Sequence, residues 1–168
     1  WAVAEQVYFR LRRERERAIA GLREAVWGMR GSDDVRAVVE ALAQALRELG
    51  VSFAVCGVNI VDDKASPAAV GFYNLYRDGQ WLLASAGDEP GSVSTVHRFW
   101  REGVVVYRPD LLRDDPYDEA RRVPQVFSLP VRCIVDVPFS HGTLAVNSLE
   151  PEAFAAANLE LFQELARV

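Results

Sequence analysis

Hydrophobic positions along this chain change period several times, and each change marks a new element. Residues 2–30 lack Pro, and Tyr8, Leu11, Ala18, Leu22, Ala25 and Met29 keep the alternating three- and four-residue spacing of a helix with a heptad seam. Arg15 falls on that seam and interrupts it. Gly31-Ser32-Asp33 ends this helix and caps a second. There Val35, Val38, Val39, Leu42, Ala45, Leu46 and Leu49 form an apolar stripe that stops at Gly50. The period then drops to two. Over Val51–Val61, Ala54, Cys56, Val58 and Ile60 share one face of a strand, and Phe53, Val55, Gly57, Asn59 and Val61 share the other. Gly57 leaves room above the sheet, and Asn59 is the odd polar side chain of its face.

Asp62–Pro67 reads as a loop. Ala69–Arg77 and Gln80–Ser85 form a hairpin closed by Asp78-Gly79, a strong short-range turn signal. A polar, Gly-containing loop over Ala86–Gly91 leads into a short helix, Ser92–Glu102, stopped by Gly103. Val93, Val96 and Trp100 face inward there, with His97 and Phe99 alongside. Val104–Tyr107 is a short strand. Residues 108–122 form a long polar segment carrying Pro109 and Pro116, of the length that lids and binding loops often have. Pro151 opens a last helix whose stripe is Phe154, Ala157, Leu161, Leu165 and Val168.

Residues 129–148 are the most informative stretch, two apolar strands around Ser140-His141-Gly142. A two-residue turn at His141-Gly142, with Ser140 opposite Thr143, puts Val135, Val137, Phe139, Leu144, Val146 and Ser148 on one face. Ile134, Asp136, Pro138, Thr143, Ala145 and Asn147 then share the other. A three-residue turn would strand Asp136 among aliphatic side chains, so the segregated pattern is expected. One face is dry core, and the other needs water, a partner or a ligand.

The order of elements implies an α+β fold. A central antiparallel sheet carries the N- and C-terminal helices on one face, and loops and the short helix over the other. Residues 1–31 read as a linker or coiled-coil-like helix and residues 32–168 as the domain proper. Half of the 168 residues are hydrophobic and 26% are charged, an ordinary globular balance. The net charge of −5 argues against a general nucleic-acid partner, and no apolar run reaches membrane-span length. Cys56 and Cys133 sit in apolar strands, as buried free thiols of a reducing compartment do. The chain opens at Trp1 and stops within helical pattern at Val168, which reads as a piece of a longer protein. Charges crowd Arg10–Arg17, either as a solvated helix face or as a juxtamembrane basic segment. A helix of that length, on the order of 40 Å, exceeds what the domain can cover. Its seam (Tyr8, Leu11, Ala18, Leu22, Met29) is expected to pair, with the C-terminal helix, in a homodimer.

Ile134-Val135-Asp136-Val137-Pro138-Phe139, then Gly142-Thr143-Leu144-Ala145-Val146, Pro151-Glu152-Ala153-Phe154 and Leu161 to Ala166 resemble the GAF domain family, relatives of PAS domains. The resemblance runs over roughly residues 33–166. It implies a sensory module that holds a small molecule between sheet and crossing loops. Terminal helices of a dimer would relay its state to a covalently linked output domain such as a histidine kinase, in the cytoplasm. The Asn-Lys-x-x-x-Phe…Asp-Glu signature of cyclic-nucleotide-binding members is missing, as is a Cys-His pair for a bilin. Cys56 and Cys133 do not reproduce the cysteine set of the related free-methionine-sulfoxide reductases.

Candidate chemistry follows. Asp136, Asn147 and Asn59 form a polar floor for a ligand head group, or else Asp136 pairs with an Arg or faces solvent. Tyr73, Trp81, Trp100, Tyr107 and Phe127 either clasp a planar ligand or fill core. His97 is an iron or haem ligand in one reading and a packed helix residue in the other, while His141 is a turn residue. No cofactor is expected beyond a small organic ligand. With no nucleophile–base order, metal-spaced cluster or phosphate-cradling loop, a non-enzymatic domain is expected. The alternatives are a ligand-free dimerisation module and, third, a haem or redox sensor.

Overall fold

The computed structural model describes residues 1–65, 68–85 and 90–168, with backbone alone at 32 and 90–92. Strands β1 (Val55–Asp62), β2 (Ala69–Tyr76), β3 (Trp81–Ala84), β4 (Val106–Arg108), β5 (Cys133–Phe139) and β6 (Gly142–Ser148) form one antiparallel sheet. Their order is β3-β2-β1-β6-β5-β4. The sheet is thus two three-stranded halves, one from each part of the chain, joined along β1 and β6. Helices α1 (Ala2–Trp27), α2 (Val35–Glu48) and α5 (Ala156–Ala166) cover one face, and α3 (Pro90–Glu102) and α4 (Arg122–Phe127) lie over the other. This is the α+β layering expected. Ser66, Pro67 and residues 86–89 of the expected loops lie outside the described residues, and 90–91 of the second loop are already helical.

The main core lies between the sheet and α1, α2 and α5. The stripe of α2 puts Val39, Leu42, Ala43 and Leu46 out of contact with water, and each such Val or Leu contributes about 1.5–3 kcal/mol. Gly50, at φ 70°, ends the helix in the left-handed region while Val51 N donates to Leu46 O at 2.9 Å. Helix α1 divides in two. Ala18, Ile19 and Leu22 are buried in the same core, while Val3, Val7, Tyr8, Phe9 and Leu11 are exposed. Two residues of the expected intermolecular seam, Ala18 and Leu22, therefore face their own domain. Tyr8 and Leu11 remain open and Met29 is at the edge of exposure. Packing does not break at residue 31, because the C-terminal half of α1 belongs to the domain core.

Three further expectations shift. Helix α5 begins at Ala156 rather than near Pro151. The intervening segment is held by Glu152 N donating to Pro109 O at 2.7 Å, and Phe154 is buried between the rings of Tyr107 and Phe162. The β5–β6 turn is Ser140-His141, with Phe139 opposite Gly142 and Asp136 opposite Ala145. That is two residues from the expected register, and a two-residue shift preserves which face each side chain occupies. Finally, the polar segment after β4 is anchored by buried charge. Arg108, Asp110 and Glu119 are all buried.

Candidate functional site

Strand register builds the site on the open face of the sheet. Side chains from paired positions lie in three rows. Arg108, Ile134, Asn147, Val55 and Tyr76 form the first, and Val106, Asp136, Ala145, Gly57, Asn74 and Leu82 the second. Pro138, Thr143, Asn59, Phe72 and Ala84 form the third. Ala145 and Gly57 are neighbours in the middle row, so the centre of the face is a hollow ringed by Asp136, Asn59, Asn74 and Asn147. Gly57 is obligatory for a second reason. A Cβ there would sit 2.2 Å from Tyr73 O and 2.8 Å from Asn74 Oδ1, so the room expected above Gly57 is partly taken by Asn74.

Over this floor lies a buried charge cluster. Arg108 donates from Nε to Glu119 Oε2 at 2.8 Å, from Nη2 to Asp136 Oδ2 at 2.7 Å and to Glu119 Oε1 at 3.3 Å, and from Nη1 to Val106 O at 2.8 Å. Its guanidinium stacks over Phe99, 5.0 Å from the ring centre. Thr143 Oγ1 donates to Asp136 Oδ1 at 2.9 Å, and Asn59 Nδ2 donates to Thr143 Oγ1 at 2.9 Å. Both carboxylate oxygens of Asp136 are therefore satisfied by the protein. Glu119 is presented by a turn whose backbone N–H groups at 119 and 120 donate to the Asp115 carboxylate at 2.7 and 2.8 Å.

One buried cation thus serves two buried carboxylates. Burial pushes the Glu119 carboxyl above its ordinary value, Arg108 opposes this, and nearby Asp136 adds to it. A carboxyl raised on folding binds more protons in the native than in the unfolded state. Its contribution to stability is therefore present at low pH and is lost as pH rises from the ordinary carboxylate range through the native value. Glu119→Gln removes that dependence while keeping an acceptor for Arg108. Urea unfolding between pH 4 and 7 is expected to show the variant gaining stability relative to wild type as pH rises; parallel profiles would refute the assignment.

A cavity of about 80 Å³ remains between the hollow and the roof made by α3 and α4, lined by Asn59, Phe72, Asn74, Thr95, Val96, Arg108, Glu119, Val126, Phe127, Asp136 and Asn147 among others. Asn147 is one of the lining residues, and its buried Oδ1 has no hydrogen-bond partner among the described residues. A buried acceptor left unmade costs about 1–3 kcal/mol, so a donor brought to this atom would stabilise the site. Tyr76 Oη donates to Phe127 O at 2.9 Å and fixes the end of α4 to β2.

Of the expected site residues, Asn59, Asp136, Asn147 and Phe127 come together here. Tyr73, Trp81 and Tyr107 do not, because strand alternation points them to the helix-covered face. Trp81 lies under the Arg36 guanidinium at 5.5 Å, and Tyr107 Oη accepts from Phe154 N at 3.3 Å. Tyr73 lines a larger apolar groove of about 560 Å³ beside Leu22, Val26, Val38 and Val168. His97 and Trp100 sit outside the cavity on α3. Their rings are 5.9 Å apart, Trp100 Nε1 donates to Phe139 O at 3.1 Å, and Asp63 and Arg101 are their neighbours on the surface. No group of three His, Cys, Asp or Glu side chains able to hold a metal occurs among the described residues. Burial pushes the Cys56 thiol up to about 12 and raises Cys133, so neither thiol is a ready nucleophile at neutral pH.

Arg108, Glu119 and Asn74 were not expected at the site. Arg108 had a readable signal, since Val104, Val106 and Arg108 continue one alternation. Glu119 had none, because only folding brings it back over the sheet.

No protein-family model and no characterised protein sequence matches this chain. Solved structures do. A structure described as that of "the GAF domain" superposes with a TM-score of 0.59 at 12% identity, covering 93% of this chain and 85% of that one. Free methionine-R-sulfoxide reductase from Neisseria meningitidis, in complex with its substrate, gives 0.58 at 13% identity, covering 90% and 83%. The GAF domain of a phosphoenolpyruvate-protein phosphotransferase from Coxiella burnetii gives 0.56 at 14% identity, covering 91% and 88%. At such identities the likeness is one of architecture, and in architecture this chain has the fold of the GAF domains.

Proposed function

We propose that this chain is a regulatory domain that senses a small molecule in the cavity on the open face of its sheet. The observation that carries this reading is Asn147, a residue lining a cavity of about 80 Å³ whose buried Oδ1 has no partner among the described residues. The GAF-like architecture supports a regulatory role in general. Strand β6 carries Asn147 on the cavity side and Leu144 and Val146 on the side packed with α5. Arg15 on α1 is hydrogen-bonded to Glu164 on α5, with Nε donating at 2.8 Å. Occupancy at Asn147 is thereby one strand away from both terminal helices. A ligand that prefers one packing of those helices biases the output by its differential affinity for the two.

In this reading the output domain is a covalently linked signalling enzyme such as a histidine kinase. The domain itself is not an enzyme, a view supported by its two buried thiols with raised pKa. The same free thiols fit a cytoplasmic setting. No helix among the described residues is long and apolar enough to cross a membrane. The dimer forms through the exposed half of α1, where Tyr8 and Leu11 remain open, together with α5. A thermal-shift screen of metabolites tests the sensing claim. A true ligand raises Tm with concentration, and that gain disappears in Asn147→Leu.

A second reading, a ligand-free dimerisation module, is favoured by one observation: Asp136 and Asn59 are already satisfied by Arg108 and Thr143. A screen without hits, together with a dimer that dissociates in Leu11→Ser, would select it. A monomer in both forms would remove the dimer from either reading.

A further inference from the structure

Between Leu111 and Val123, both buried, the chain runs over the surface, and Glu119 is the only buried residue of that stretch. A loop pinned through one side chain ordinarily uses an apolar one. Here it uses a carboxylate, laid against Arg108 with Nε donating to Oε2 at 2.8 Å and Nη2 to Oε1 at 3.3 Å. That fork is how arginine takes a carboxylate, free or attached to a chain. Phe99 backs the guanidinium. Arg122, half-buried in the same lining and donating to Thr95 Oγ1 at 3.4 Å, adds a second positive charge that acts on Glu119. Burial raises the Glu119 carboxyl against the pull of both arginines, so its return to water recovers hydration that the closed site withholds. The cavity beside it is about 80 Å³, small against the roughly 300–1,000 Å³ of small-molecule pockets. Withdrawal of Glu119 would supply both the missing space and an open fork.

We propose that Glu119 is a built-in stand-in for the carboxylate of the ligand. A small aliphatic carboxylate takes its place on Arg108 and Arg122, lays its apolar end against Phe72, Val96, Val126 and Phe127, and releases residues 112–121 to solvent. This rests on the ligand-binding reading above and adds the ligand class and the segment its arrival sets free. One carboxylate replaces another, so the balance of charge with Asp136 is unchanged. A neutral ligand would leave Arg108 without the anion that Glu119 provides, and a cation would face both arginines once Glu119 had left. The N–H groups of Glu119 and Ala120, which donate to the Asp115 carboxylate at 2.7 and 2.8 Å, report the release.

The test uses the full chain at pH 7 and constant ionic strength, with isobutyrate as the probe and isobutanol and isobutylammonium as neutral and cationic controls. Calorimetry measures affinity, and hydrogen exchange follows residues 112–121. Wild type is expected to bind isobutyrate with a Kd on the order of 10 mM, at least about tenfold tighter than either control. Exchange over 112–121 is expected to quicken at least about threefold at saturation. Glu119→Ala, which empties the fork, is expected to bind isobutyrate about tenfold tighter than wild type. Glu119→Gln, which keeps the shape and removes the competing charge, is expected to bind it about threefold tighter, and decides alone if Glu119→Ala fails to fold. Arg122→Gln is expected to weaken isobutyrate about threefold in wild type. Wild-type affinity equal to that of the Glu119 variants overturns the proposal. So does binding that leaves 112–121 as protected as before, a control that binds as tightly as isobutyrate, or failure of isobutyrate to bind wild type. In each case a compound of the metabolite screen that still raises Tm leaves the sensing reading standing. If neither isobutyrate nor any compound of the screen binds, both fall.

Discussion

Arg108→Met is expected to destabilise the domain by about 3–5 kcal/mol, the usual consequence of stripping the partner from buried carboxylates. Methionine fills much of the same volume, so the loss is electrostatic rather than a packing defect. Asp136 and Glu119, each at most 6% exposed at the side chain, would be left buried without the arginine they share. A domain of this size has only about 5–15 kcal/mol in hand, so the variant lies near the edge of folding at neutral pH. Its pH dependence identifies the cause. Without Arg108 the Glu119 carboxyl loses a cation that holds it down, the native state takes up a proton more readily, and the deficit shrinks as pH falls through its raised value. Urea unfolding at about pH 7 and pH 5 should show the gap to wild type narrowing on acidification. A gap that stays constant would mean that shape, not charge, holds Arg108 in place. Arg108→Lys is expected to recover little, because an ammonium cannot reach Glu119, Asp136 and Val106 O at once.

Gly142→Ala is the second large effect, expected at about 3 kcal/mol or more. Gly142 opens β6 opposite Ile60 of β1. A methyl group at this position would lie 1.7 Å from Asn59 O and 2.8 Å from Asn59 C, both backbone atoms that cannot swing aside. The affected pairing is the one that joins the two halves of the sheet, so relief requires β1 and β6 to part at that end. Asn59 would carry the strain directly into the cavity floor. Gly21→Ala is the control. It sits in α1 with nothing within 4 Å of the added atom, and is expected to stabilise by about 0.5–1 kcal/mol through helix propensity. Thermal unfolding of the pair should move Tm in opposite directions; a Gly142→Ala variant as stable as wild type would mean the strand junction is looser than its geometry.

Much of this arrangement could be read from periodicity because side-chain alternation survives errors of register. The Ser140-His141 turn was expected one residue later, yet Asp136, Thr143 and Asn147 landed on the correct face, since a slip of two residues keeps parity. Hairpin β2–β3 was legible from Asp78-Gly79 alone, and Gly79 takes φ 91° there. What periodicity cannot convey is which face of a sheet receives which covering element. Tyr73, Trp81 and Tyr107 looked like pocket aromatics because aromatic residues fill cores and line cavities with the same composition. Their face was settled only by the packing of α1, α2 and α5. Asp136 was expected either to be paired or to be free, and its partner stands at the end of β4, beyond a strand too short to fix its own register. Glu119 was invisible for a different reason. It lies in a stretch rich in charge, where solvation is the ordinary expectation, and its burial depends on the turn that Asp115 closes.

Helix α1 leaves the core at Ala18 and continues to Ala2, a rise of about 24 Å, with Leu11 and the apolar residues before it exposed. Such a rod is a lever arm whose fulcrum is the Ala18–Leu22 contact and which α5 grips just beyond that fulcrum, through Arg15 and Glu164. A tilt of about 5° at the fulcrum sweeps the tip through about 2 Å. Sub-ångström adjustments behind β6 would therefore be read at the far end of α1 as a displacement of ångströms, which in the dimer proposed above would change the residues that two such rods present to one another.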